Sequence, residues 1–197
     1  MGARQQRGRA AAGRPRPRRG VGRGRLLIAG VALVAAVAAG VVVLSGGGAG
    51  GGAGNRATRD DFSLPRLDGA GQVQLADLRG HPVVVDLFAS WCTACDGELP
   101  GFARTAAAAG SRVTFVGIDS LETGDGLGMA RRDGIAGFRL ARDVGTSGGA
   151  YHDAIGGVGM PVTAFYDATG RLVEVSQGAL TEDRLRAELQ RLFGITV

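Results

Sequence analysis

Both cysteines of the chain fall in one five-residue stretch, Trp91-Cys92-Thr93-Ala94-Cys95. That stretch sits between two patterns of different period. Before it runs Val83-Val84-Val85-Asp86-Leu87-Phe88-Ala89, a short apolar run that reads as a strand buried on both faces. After it, Leu99, Phe102 and Ala106 recur at i, i+3 and i+7, the spacing of one helix face. The thiols therefore belong to a strand-to-helix turn, with Cys92 near the helix N-terminus. Unpaired backbone N–H groups and the positive end of the helix dipole favour a thiolate there and lower its pKa. Two intervening residues let the sulfurs reach each other across the first turn. The pattern predicts one thiol that ionises near neutral pH and a second that resolves a mixed disulfide. Two blander readings compete. A zinc site needs two more ligands, and the only histidines, His81 and His152, show no ligand spacing. A purely structural disulfide constrains the unfolded chain least when its loop is this short.

The remaining periodicity outlines one domain over residues 56–197, long enough for a sizeable core. Strands are expected at Val73–Leu75, Val83–Phe88, Val113–Ile118, Phe138–Leu140, Val162–Tyr166 and Leu172–Gln177. Helices are expected at Ala94–Ala109, Gly126–Asp133, Gly149–Ile155 and Glu182–Phe193. Thr181 caps the last helix with Glu182 and Asp183 in its first turn, and Gly110 and Gly194 are stops. Strands alternating with helices imply an α/β sheet.

Four motifs in order resemble the thioredoxin-fold oxidoreductases, in particular the membrane-anchored TlpA/ResA-like branch. Asp61-Phe62-Ser63-Leu64-Pro65 with Leu75-Ala76-Asp77-Leu78-Arg79-Gly80 is similar to that branch's N-terminal extension. Trp91-Cys92-Thr93-Ala94-Cys95 with Glu98-Leu99-Pro100 is similar to its active-site helix. Gly159-Met160-Pro161-Val162-Thr163 through Gly170-Arg171 is similar to its cis-proline strand and hairpin, and Gly178-Ala179-Leu180-Thr181 precedes the last helix as in thioredoxins generally. The resemblance implies a thioredoxin fold with an N-terminal extension and a central insertion between Asp119 and Tyr151. It also implies a Cys92–Cys95 redox disulfide, with Cys92 the exposed attacking thiolate and Cys95 the buried resolving thiol. Trp91 would shield the sulfurs. Pro161 would be cis and lie against them, leaving Met160 to touch substrate. Asp86, six residues before Cys92, matches a buried aspartate that assists the resolving cysteine; an aspartate turned to solvent is the alternative. Glu98 is placed near the disulfide by its i, i+3 offset from Cys95, against the alternative of a solvated surface carboxylate. No metal, nucleotide or flavin is implied.

The implied activity is reduction or exchange of extracytoplasmic protein disulfides, with cytochrome c maturation as a setting and a membrane thiol carrier as recycling partner. Disulfide formation in exported proteins is the alternative. Thr93-Ala94 lacks the proline common between the cysteines of this branch, and carries no histidine, so the motif leaves redox direction open. A thiol peroxidase is disfavoured because Ala89 and Val85 stand where peroxiredoxins place threonine and proline. A copper-binding assembly module is disfavoured because its relatives space their cysteines by three.

The N-terminus speaks of location. Nine of the 23 basic residues, all arginine, lie in residues 1–25 with no acidic residue, leaving 14 basic against 18 acidic residues in the remainder. The net charge of +5 therefore belongs to the tail. Residues 26–44 are uncharged and almost wholly apolar, long enough to cross a bilayer. Arginines on the near side predict a cytoplasmic tail 1–25, a transmembrane helix 26–44 and an extracytoplasmic remainder. They suit anionic lipid rather than nucleic acid. A cleaved signal and a secreted domain is the alternative. Residues 45–55 form a Gly-rich linker, flexible over about 15–20 Å.

Overall fold

The computed structural model describes residues 54–197; the basic tail, the expected transmembrane helix and nearly all of the linker lie outside the described residues. Among the described residues no helix is long and apolar enough to cross a membrane.

The chain opens with strands β1 (Arg56–Thr58), β2 (Asp61–Pro65) and β3 (Gln72–Gln74), which pair antiparallel in that order. A 3-10 turn at Leu75–Leu78 leads to β4 (Val83–Phe88), then α1 (Thr93–Ala109), β5 (Thr114–Asp119), α2 (Gly126–Arg132), β6 (Arg139–Arg142) and α3 (Ala150–Ala154). The chain closes with β7 (Val162–Tyr166), β8 (Leu172–Gln177) and α4 (Glu182–Phe193). The second sheet has the order β6-β5-β4-β7-β8, with β4, β5 and β6 parallel and β7 and β8 antiparallel.

β4, β7, β8 and α4 fall where periodicity places them. Elsewhere the ends move by one or two residues, and Leu75 begins the 3-10 turn instead of ending a strand. β1 and β2 were not among the expected strands; β1 has three residues, and the polar-apolar alternation of Asp61-Phe62-Ser63-Leu64 in β2 is short and ends at Pro65. The stretch from Asp119 to Tyr151 folds as α2, β6 and the start of α3, and β6 extends the parallel edge of the main sheet.

Alternate residues of β4 divide the core. Val83, Val85 and Leu87 pack with Phe62, Leu64, Val116, Tyr151 and Tyr166, under the N-terminal sheet and α3. On the other face Val84 joins Phe102, Leu185 and Leu189 of α1 and α4. Phe88 joins Cys92, Cys95 and Leu99, with Met129 and Ala130 of α2. Because strand side chains alternate, Asp86 shares the face of Val84 and Phe88. A hydrophobic strand thus delivers one carboxylate beneath the helix that carries the cysteines.

Candidate active site

β4 ends at Phe88, and the chain turns through Ser90 and Trp91 into α1. The turn is closed by the Cys92 amide donating to the Ala89 carbonyl at 2.9 Å. Cys92 is the N-cap of α1: its backbone is extended and its Sγ accepts from the Cys95 amide at 3.1 Å. A sulfur in the N-cap place satisfies one of the orphan donors of the first turn, so the helix terminus is directed at this atom. Cys92 and Cys95 form a disulfide, with Cα atoms 5.3 Å apart.

Cys95 is wholly buried and Cys92 is 5% exposed. The order of exposure follows the helix, which carries its second cysteine inward, but the expectation of an openly exposed Cys92 is corrected. Phe88 and Met129 and Ala130 of α2 share its buried cluster, and Met160 packs against it, so little of the residue meets solvent while the disulfide is closed.

Asp86 does not turn to solvent. It is fully buried, and neither carboxylate oxygen is in a well-formed hydrogen bond. Burial pushes its pKa well above the ordinary carboxyl range, and repulsion from Glu98 adds to the shift; the hydroxyl of Thr163, opposite it on β7, opposes. Glu98 is no surface carboxylate either, at 4% exposure. Its Oε2 accepts from the Leu180 amide at 2.7 Å, while Oε1 is buried without a partner. Burial lifts Glu98 to about 8, against the lowering effect of that amide. Asp86 beneath α1 and Glu98 on it interact and hold their protons to higher pH than ordinary acids; once ionised, either is a proton acceptor. Glu98, at about 8, titrates in the range of an ordinary thiol, so a proton can pass between the two.

Across the sulfurs, the Met160–Pro161 peptide is cis. Met160 is partly buried and packs against the cluster that contains both cysteines. The preceding loop is tethered by His152, whose Nε2 lies 3.0 Å from the Gly159 carbonyl, and by Gln177, which bonds Val158 and Gly156. Trp91 is half exposed beside the turn, its Nε1 donating to the Leu121 carbonyl at 2.8 Å. It is fastened to the loop after β5, a contact absent from its expected role as a shield over the sulfurs.

The fold thus brings Cys92, Cys95, Asp86, Glu98, Trp91, Met160 and Pro161 to one end of the sheet. Three groups were missed in the sequence: the Leu180 amide, Ser90 and Glu122. The amide leaves no side-chain signature. Ser90 is small and polar in a turn, and Glu122 is one acid among several in a loop.

The geometry finds its counterpart among known proteins. The AhpC/TSA family matches residues 54–175 of the chain. The thiol-disulfide oxidoreductase ResA of Oceanobacillus iheyensis is 30% identical over 135 residues, covering 66% of this chain and 68% of that protein. The thiol:disulfide interchange protein DsbE of Pseudomonas fluorescens biotype C is 30% identical over 137 residues, covering 66% and 73%. A solved structure of a secreted Mycobacterium tuberculosis disulfide oxidoreductase homologous to E. coli DsbE is 28% identical, with a TM-score of 0.57, covering 68% of this chain and 98% of that one. With its thioredoxin-like α/β fold and paired cysteines, the chain belongs to the AhpC/TSA family and, within it, to the thiol-disulfide oxidoreductases of the ResA and DsbE type.

Proposed function

We propose that the protein is a membrane-anchored reductant of protein disulfides outside the cytoplasm. The observation that carries the direction is the buried carboxyl pair, Asp86 and Glu98, behind the disulfide. Once either carboxyl ionises, its negative charge in a low-dielectric site raises neighbouring thiol pKa values and destabilises the thiolates of the reduced form, so the dithiol is the readier electron donor. In the reaction the Cys92 thiolate attacks one sulfur of a substrate disulfide. That bond breaks, a mixed disulfide forms, and the departing substrate thiolate takes a proton. Cys95 then gives its proton to the ionised member of the carboxyl pair and attacks the Cys92 sulfur. The second substrate thiol leaves, and the Cys92–Cys95 disulfide remains, two electrons having passed to substrate. A membrane thiol carrier restores the dithiol.

Anchoring follows from residues 1–25 and 26–44, whose basic and apolar blocks fit a cytoplasmic tail and one transmembrane helix, with residues 45–55 as linker and 56–197 as the catalytic domain. Trp91, Met160 and Pro161 would bind an extended substrate. Apocytochrome c disulfides, reduced to thiols, are the substrate class that the resemblance to the TlpA/ResA-like branch suggests. One observation favours the opposite direction, disulfide formation: the Cys95 amide and the α1 terminus stabilise a Cys92 thiolate.

A Cys95→Ser variant in intact cells should trap partners through Cys92, in the membrane fraction and on its outer side. Trapping that needs Cys95 and tolerates loss of Cys92 would reverse the roles. The Cys92–Cys95 potential separates the directions: a value near about −270 mV supports a reductant, and one near about −120 mV an oxidant.

A further inference from the structure

The loop leaving β5 reaches back onto the active-site turn. Glu122 accepts from the Ser90 amide at 2.7 Å and from the Ser90 hydroxyl at 2.6 Å. The same carboxylate takes the amides of Thr123 and Gly124 at 2.7 and 2.5 Å. One residue earlier, the Leu121 carbonyl holds the Trp91 indole. Two consecutive loop residues therefore grip the two consecutive residues that lead into Cys92.

The grip is built, and at some strain. Leu121 has φ 54, in the left-handed region that leucine seldom enters and that its surroundings must maintain. Its amide donates to the Gly148 carbonyl at 2.9 Å. A Cβ on Gly149 would stand 2.4 Å from the Leu121 side chain, and one on Gly124 would stand 2.7 Å from the Ser90 hydroxyl. Burial works against a charge on Glu122, but Ser90, Asp119 and the Gly124 amide outweigh it and hold the carboxyl down at about 2. Asp119 beside it is buried and pushed up to about 8, by burial first and then by Glu122, so the pair carries one charge, on Glu122.

We propose that Glu122, together with the Leu121 carbonyl, is a positioning residue of the thiol-disulfide reaction, fixing Ser90 and Trp91 so that the indole and the Cys92 sulfur meet a protein substrate in one aim. The inference rests on Cys92 as the attacking thiol. A small disulfide needs only that sulfur, whereas a protein disulfide must also fit against half-exposed Trp91. Loss of aim therefore weighs on the protein substrate alone.

Trp91 is the sole tryptophan, so its fluorescence reports on this turn without interference. In Glu122→Gln one acceptor oxygen becomes an NH2 group, and at least one of the amide bonds is lost whichever way the side chain turns. The reduced full-length protein is reacted with hydroxyethyl disulfide and with insulin. The ratio of the two rates cancels any change in thiolate pKa. Glu122→Gln should give Trp91 nanosecond mobility in time-resolved anisotropy and lower the insulin rate about tenfold, with the small-disulfide rate held within about twofold. Ser90→Ala, which deletes the hydroxyl bond alone, should move both readouts in the same direction by less, and it carries the test if Glu122→Gln does not fold. Unchanged anisotropy and rate ratio in a folded Glu122→Gln protein, or in Ser90→Ala if that variant must stand in, overturns the proposal. So does an equal fall of both rates, which marks a merely structural contact. If Cys92→Ser still reacts with either disulfide, the assignment of Cys92 fails, whatever Glu122→Gln does.

Discussion

Glu98 shows how a single side chain changes character on burial. In the unfolded chain its carboxyl titrates near 4.5, and in the folded protein at about 8. Between those values the folded state holds a proton that the unfolded chain has released. Its contribution to stability is therefore full below about pH 4.5 and is lost as pH rises through about 8, at no more than about 1.4 kcal/mol per pH unit for one proton. Denaturant titrations from about pH 5 to about pH 9 should show that decline, and Glu98→Gln should flatten it. An unchanged slope in Glu98→Gln would place the proton elsewhere. Asp86 is deeper and lacks a well-formed hydrogen bond, and in the proposed mechanism it is the group that takes the Cys95 proton. Asp86→Asn should slow resolution of a Cys92 mixed disulfide by about 10²-fold in quenched-flow measurements while sparing its formation, the size of effect typical of a lost general base. Equal effects on both steps would count against that role.

At the scale of elements, α1 and α4 depend on their first turns. α1 is capped by the redox sulfur itself, which leaves Pro100 to be accommodated within its interior. α4 begins at a conventional cap: the Thr181 hydroxyl accepts from the Arg184 amide at 3.2 Å, and Gly194 closes the helix at φ 68. Thr181→Ala should cost about 1 kcal/mol in urea denaturation, as at other threonine caps. A loss below about 0.3 kcal/mol would show that packing of Leu185 and Leu189 alone holds the helix end. The two helices approach closely at Gly101, where a Cβ would come 3.2 Å from that of Glu182.

For the whole molecule, the decisive contact is between the small N-terminal sheet and the main sheet. Phe62 of β2 lies edge-on to Tyr151 at 5.1 Å and to Tyr166 at 6.5 Å. The Tyr166 hydroxyl donates to the Arg59 carbonyl, so the hydroxyl of Tyr151 supplies the proton of the 2.6 Å bond between the two tyrosines. Strand β2, helix α3 and strand β7 thus meet at one buried polar-aromatic junction. Phe62→Ala should cost about 3–5 kcal/mol, a large part of the 5–15 kcal/mol that stabilises a typical domain. A single urea transition at lower midpoint is the expected record. Two separate transitions would show that the N-terminal sheet folds as an appendage.

The strand-turn-helix around the cysteines was legible because its signals are local: an apolar run, an i, i+3, i+7 stripe and two thiols between them. The same holds for β7, β8 and α4, whose periods and cap lie within a few residues. The three-residue strand β1 was not legible, since its pairing partner makes it a strand, and the alternation of Asp61-Phe62-Ser63-Leu64 in β2 is a signal only four residues long. The site divides the same way. Cys92, Cys95 and the buried place of Asp86 follow from the β4 and α1 sequences by themselves. The burial of Glu98 required an amide 82 residues away, and the clamp on Ser90 and Trp91 required a loop about 30 residues on. Local sequence sets the periodicity and chemistry of each segment. Only tertiary packing decides which charges lose water, which amides they find instead, and how much of a reactive sulfur remains exposed, because desolvation is a property of everything that surrounds a group rather than of its neighbours in the chain.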